Sequence, residues 1–108
     1  MKLFILLIIS LSSTLIYSND KKDEPKAIWI DVRTNAEWNQ GHLPEAIHIP
    51  YKEIGEKISK LTKDKKTLIK LYCKSGGRAG IAKKTLEKLG YKNVRNAGGY
   101  EQIIKDRR

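Results

Sequence analysis

The chain has 108 residues, 22 of them Lys or Arg and 12 Asp or Glu, for a formal net charge of +10. That length points to one domain with one small core, and a single cysteine excludes an internal disulfide and a dithiol redox pair. The basic residues are scattered along the chain with no interleaved aromatic pattern, which speaks against nucleic acid and for a solvated surface whose positive field draws small anions toward a cleft.

Lys2 precedes an apolar run, Leu3 to Tyr17, interrupted only by Ser and Thr. From Asn19 to Lys26 the sequence turns abruptly polar. A basic start, an apolar stretch and a small residue at the break describe a secretory signal peptide over residues 1–18, cleaved after Ser18. The other reading is an uncleaved anchor, for which the run is short, since a bilayer span usually takes about 20 residues. Cleavage implies export, to the periplasm or beyond, and no stable membrane span afterwards. Residues 19–26 then form a flexible polar leader, and residues 27–108 the folded domain. Only Lys2 of the basic residues lies in the signal, so 21 basic against 12 acidic groups leave +9 on the mature chain.

Ala27–Val32, AIWIDV, is short, apolar and rich in β-branched and aromatic residues, as in a buried strand. Thr34 and Glu37 stand three apart and form a capping box. A short helix over 35–40 should follow and stop at Gly41. Ile47–Ile49 is a second strand, ended by Pro50. Ile54, Ile58 and Leu61 recur at helical spacing within 51–61. After a charged loop at 62–66, Thr67–Tyr72 reads as a third strand. Ile81, Ala82, Leu86 and Leu89 mark a helix that ends at Gly90, a natural residue just past a helix C-terminus. Asn93–Asn96 is a weak fourth strand, Gly98–Gly99 a turn, and 100–105 a last short helix. Lys105–Arg108 reads as a frayed tail. Strands alternating with helices give an α/β fold, a small parallel sheet covered by helices on both faces.

Ligands of such sheets sit at the carboxyl ends of the strands. The only cysteine falls there, in YCKSGGRAG, residues 72–80. A lone cysteine is often a buried apolar filler. Here it stands between a strand and a helix, in a loop with two glycines at 76 and 77. Such a loop can aim successive N–H groups inward as an anion nest. The next helix adds its unpaired N-terminal donors. Lys74 and Arg78 add two positive charges, and all of these favour thiolate over thiol at Cys73. Four residues separate Cys73 from Arg78, one fewer than a phosphatase loop needs to wrap phosphate. A smaller guest, one sulfur carried as a persulfide, suits this loop better. His42 and His48 could suggest a partner base for the cysteine, but His48 lies in a strand and His42 follows a turn glycine, so structural hydrogen bonds are expected of both. Trp29 and Trp38 read as core residues, Trp38 leaning toward the pocket.

Three stretches resemble the rhodanese family: CKSGGR at 73–78, IDVRTNAEW at 30–38 followed by Gly41-His42 and AIHIP at 46–50, and NAGG at 96–99. They occur in order and span most of residues 27–104. Glu45 stands where the family usually has glycine, and Asn96 where many members have leucine. The resemblance, closest to exported single-domain members, implies a thiosulfate sulfurtransferase. Cys73 would take the outer sulfur of thiosulfate and pass it to a thiophilic acceptor, cyanide in the test tube. Lys74 and Arg78 would orient the donor, and the loop Ser75, Gly76, Gly77 and Arg78 would hold the persulfide with its N–H groups. Asp31 and Arg33 would brace the site, Arg33 pairing with Glu37 or Asp31. The same resemblance implies no metal or organic cofactor and a monomer. A sulfur carrier serving a protein partner, or a non-catalytic binding module of the same fold, is the alternative.

Overall fold

The computed structural model describes residues 26–108. The expected signal and most of the expected leader lie outside the described residues. Eight elements alternate: β1 (Ile28–Asp31), α1 (Asn35–Gln40), β2 (Ile47–His48), α2 (Ile54–Leu61), β3 (Ile69–Cys73), α3 (Gly77–Lys88), β4 (Val94–Gly99) and α4 (Tyr100–Asp106). The sheet order is β2-β1-β3-β4 and every pairing is parallel. Register places Ile30 beside both Ile47 and Leu71, and Ile69 beside Val94.

Side chains alternate across the two faces of the sheet. Ile69, Leu71 and Cys73 of β3 join Ile30 and Val32 on one face. There they pack against Ile54 and Ile58 of α2 and Ala79, Ala82 and Leu86 of α3. Tyr72 points the other way, into a smaller cluster with Leu43 and Ile103 that Trp29 and Tyr100 flank. A parallel sheet so covered reads as largely apolar runs; IWID and IKLYC follow this except for Asp31 and Lys70. Burying one Ile or Leu contributes about 1.5–3 kcal/mol.

The capping box forms as expected. The Glu37 N–H donates to Thr34 Oγ1 at 3.2 Å, and the Thr34 N–H donates to Glu37 Oε1 at 3.1 Å. Gly90, at φ 98°, follows the end of α3 as expected. Four expectations are corrected. Helix α2 starts at Ile54 rather than Tyr51, because Pro50 first closes a turn in which the Glu53 N–H donates to the Pro50 carbonyl at 2.9 Å. Strand β3 includes Cys73. Gly98 and Gly99 belong to β4, not to a turn, and Gly99 pairs with Cys73 after a register shift. Finally, Lys105–Arg108 is no frayed tail. Helix α4 continues to Asp106, and Arg107 bonds Glu45 at 2.7 and 3.3 Å with its guanidinium 5.2 Å from the Trp29 ring centre. Glu45, which departs from the family's glycine, thus holds the carboxyl end of the chain.

Candidate active site

Cys73 ends β3 at the carboxyl edge of the sheet, three residues before Gly76, the cap of α3. Gly76 has φ 99°, a left-handed conformation that costs other residues strain. That conformation turns the chain back over the sulfur. The Gly76 N–H donates to Cys73 Sγ at 2.9 Å and the Ala79 N–H at 3.4 Å. The expected inward donors therefore exist, but those on the sulfur come from Gly76 and Ala79. The N–H groups of Ser75, Gly77 and Arg78 make no hydrogen bond among the described residues. Cys73 itself is only 1% exposed.

Arg78 does not stand free. Its Nη1 donates to Glu37 Oε1 at 2.7 Å and its Nη2 to Glu37 Oε2 at 3.0 Å. This two-point pair links the first turn of α3 to α1, whose start is set by the same Glu37. The Arg78 hydrogen bonds, offset in part by burial, lower the Glu37 carboxyl to about 2. The sequence marks Glu37 as a cap and misses this second role, because 41 residues separate the partners.

Arg33 pairs with Asp31, not with Glu37. Its Nε lies 3.0 Å from both Asp31 oxygens and its Nη2 2.7 Å from Oδ2. Nη2 also donates to the Gly41 carbonyl at 2.7 Å. Both residues are buried. The guanidinium lies 4.6 Å from the Tyr100 ring centre and 5.6 Å from that of Tyr72. Burial opposes the Arg33 charge, and its hydrogen bonds and attraction to Asp31 more than offset that. Asp31 and Arg33 thus join the end of β1, the end of α1 and the start of α4 behind the site. Burial likewise raises the Tyr72 phenol, which accepts from the Leu43 N–H at 3.1 Å.

The histidines bond as expected of structural residues. His42 Nδ1 lies 2.9 Å from the Trp38 carbonyl, and His48 Nε2 lies 2.8 Å from the Arg33 carbonyl. Trp38 stacks on both rings. Neither ring makes a hydrogen bond to Cys73 among the described residues.

Two residues beyond the expected set shape the loop. Asn96 Nδ2 donates to the Gly76 carbonyl at 2.9 Å, while its Oδ1 accepts from the Gly98 N–H at 2.9 Å. The side chain that departs from the family's leucine therefore ties the loop after Cys73 to β4. Gly99 permits the closest approach. A Cβ there would lie 2.3 Å from the Lys74 carbonyl oxygen. Its φ is negative, so the requirement is room and not backbone freedom.

Two hollows open at this end. The larger, about 370 Å³, is bounded by Arg33, Thr34, Tyr51, Lys52 and Arg78 among others. The smaller, about 180 Å³, is bounded by Arg33, Glu37, Gln40, Lys74, Tyr100 and Glu101. Arg78 faces one and Glu37 the other, so their ion pair stands between them. Among the described residues no group of three or more His, Cys, Asp or Glu side chains gathers as for a metal ion.

Comparisons with known proteins point the same way. The family model described as a rhodanese-like domain matches residues 16–106. The thiosulfate sulfurtransferase PspE of Escherichia coli is 44% identical over 75 residues, covering 69% of this chain and 72% of that protein. A sulfurtransferase of Allochromatium vinosum is 36% identical over 77 residues, or 71% of this chain and 70% of its own. A solved structure described as a rhodanese with anions from E. coli superposes with a TM-score of 0.68 at 42% identity, covering 70% of this chain and 89% of that one. With a cysteine at the end of the third strand, a glycine loop closing over its sulfur and these matches across most of the domain, the chain belongs to the rhodanese family.

Proposed function

We propose that this chain is an exported sulfurtransferase that carries sulfane sulfur from thiosulfate through a Cys73 persulfide to a thiophilic acceptor. One observation carries the reading: two backbone N–H groups, from Gly76 and Ala79, converge on Cys73 Sγ. Donors fixed in this way stabilise negative charge on sulfur without reorganising. The relatives named as sulfurtransferases support the reaction class, and the pattern of residues 1–18 supports export.

In the first step the Cys73 thiolate attacks the outer sulfur of thiosulfate. A new S–S bond forms, the bond to the sulfonate sulfur breaks, and its electron pair leaves with sulfite. Cys73 then carries a persulfide anion. In the second step an acceptor attacks the outer sulfur, and the pair in the S–S bond returns to Cys73. The N–H groups of Ser75, Gly77 and Arg78 have no other hydrogen-bond partner among the described residues and suit the outer sulfur. Lys74, exposed beside the smaller hollow, supplies positive charge for the dianionic donor. Arg78, held by Glu37, positions the loop and contributes a partly neutralised charge. No step needs a metal, an organic cofactor or a separate base.

The test is direct. The protein incubated with thiosulfate should gain the mass of one sulfur atom, and adding cyanide should return the original mass and release thiocyanate. Cys73→Ser should do neither. A wild-type chain that takes up no sulfur from thiosulfate overturns the proposal.

A further inference from the structure

Lysines scattered along the sequence meet at one end of the fold. In a parallel sheet every strand starts at the same end, and the helices between them finish there. The loops before β3 and β4 abut at that end: the Lys92 N–H donates to the Lys65 carbonyl at 2.9 Å, and Lys65 Nζ donates to the Leu89 carbonyl at 3.0 Å. Lys60, Lys63, Lys66, Lys88 and Lys92 surround them, all exposed. None belongs to the four ion pairs found among the described residues. The acids of these loops and helix ends are Asp64 and Glu87, and Asp64 accepts from the Lys66 N–H to close its own turn. Lysine in a last helical turn complements the helix dipole, which accounts for Lys60 and Lys88. It leaves Lys63, Lys66 and Lys92 unexplained. Leu89 projects among these lysines, 44% exposed.

The amino end of the described chain enters at the same place. Lys26 is exposed, and the Ile28 N–H donates to the Leu68 carbonyl just before β3. Twenty-five residues precede Lys26, and residues 3–17 of them are the apolar run. Cys73 lies at the opposite end of β3, four residues and about 13 Å from Ile69.

We propose that this lysine face docks on an anionic lipid surface, with Leu89 entering the headgroup layer and Cys73 directed away from the bilayer. Clustered lysines are attracted to anionic headgroups within a Debye length. The lysines of these two loops and helix ends are six, Lys65 included, with no arginine among them, and the aromatic side chain between the loops, Tyr91, is buried under Lys65. The face therefore lacks the stacking platforms and forked donors with which proteins read nucleic acid. The docked orientation leaves both hollows open to soluble donor and acceptor, whether residues 1–18 are retained or removed.

The test uses the chain from Asn19, because both core clusters lie within residues 28–104 and remain complete in it. It is sedimented with vesicles of phosphatidylglycerol and phosphatidylcholine, or of phosphatidylcholine alone, at low and high salt. Wild type should bind only the anionic vesicles, and salt should release it. Lys63→Glu with Lys66→Glu should lower the affinity at least about twentyfold, given about fivefold for each lysine near such a surface. Lys52→Glu with Lys74→Glu makes the same change of charge at the other end and should cost under about threefold. Equal losses in the two double variants would reduce the effect to net charge and overturn the proposal. Equal binding to uncharged vesicles, or preference for a DNA duplex over anionic vesicles, would also overturn it.

Discussion

Replacing Gly99 by alanine tests whether the loop after Cys73 is held by contact with β4. The new Cβ would lie 2.3 Å from the Lys74 carbonyl oxygen, 3.1 Å from its carbon and 3.3 Å from Ser75 Cα. Carbon and oxygen normally approach to about 3.3 Å, so the overlap with the oxygen is about 1 Å. All three atoms are backbone, and no rotamer change relieves them. Either β4 or the loop after Cys73 must move. Overpacking of this kind costs about 1–3 kcal/mol. In a domain of this size each kcal/mol lowers Tm by about 4–8 °C, so a fall of about 10 °C is expected. A displacement near 1 Å also carries the Gly76 and Ala79 N–H groups off the sulfur, and misplacement on that scale costs about 100-fold in rate. Thermal melting by circular dichroism and single-turnover sulfur loading followed by intact mass measure the two effects. Gly77→Ala is the control for stability. Its Cβ meets nothing within 4 Å, its φ is not positive and it opens α3, so its Tm should equal or exceed wild type. Melting within about 2 °C of wild type, with loading unchanged in Gly99→Ala, would refute the close-contact argument.

Three further outcomes are expected. Asp31→Asn leaves the buried Arg33 charge without its counter-ion, and denaturant unfolding should show a loss of about 3–5 kcal/mol; a loss under about 1 kcal/mol would mean that the pair is dispensable. Asn96→Leu restores the residue common in the family but removes two hydrogen bonds to Gly76 and Gly98; a loss of about 1 kcal/mol with slower sulfur loading is expected, and wild-type loading would show that the loop holds itself. The Glu37 carboxyl is lowered from 4.5 to about 2 on folding, chiefly by Arg78. Its contribution is thus complete above about pH 4.5 and lost as pH falls toward 2. Tm measured against pH should therefore fall less steeply over that window in Glu37→Gln than in wild type, and parallel curves would remove Glu37 from the acid response.

Much of the fold is legible along the chain because its causes are local. The Thr34–Glu37 box starts α1, Gly90 ends α3, and mostly apolar runs at 28–31 and 69–73 make buried strands. The position of Cys73 was legible for the same reason, since cysteine, glycines and helix start lie within nine residues. The partners of the charged residues were not. Arg78 meets a carboxylate 41 positions away, and Glu45 meets Arg107 across 62. Nothing in local pattern distinguishes such a carboxylate from any solvated one. The glycine pair at 98–99 reads as a turn by composition, whereas the Lys74 backbone leaves no room for a side chain at Gly99 and a φ of 91° favours glycine at 98.

The alternation of strand and helix, the carboxyl-end position of Cys73 and the glycine loop that follows it are written in the order of residues along the chain. These depend on side-chain periodicity and on backbone angles, both properties of adjacent residues. Which N–H groups reach the sulfur, the pairing of Arg78, the hold of Asn96 and Gly99 on the loop and the shared face of distant lysines come from the folded arrangement. Each of these depends on distance through space, which the parallel sheet sets by bringing every strand start to one end and every strand finish to the other.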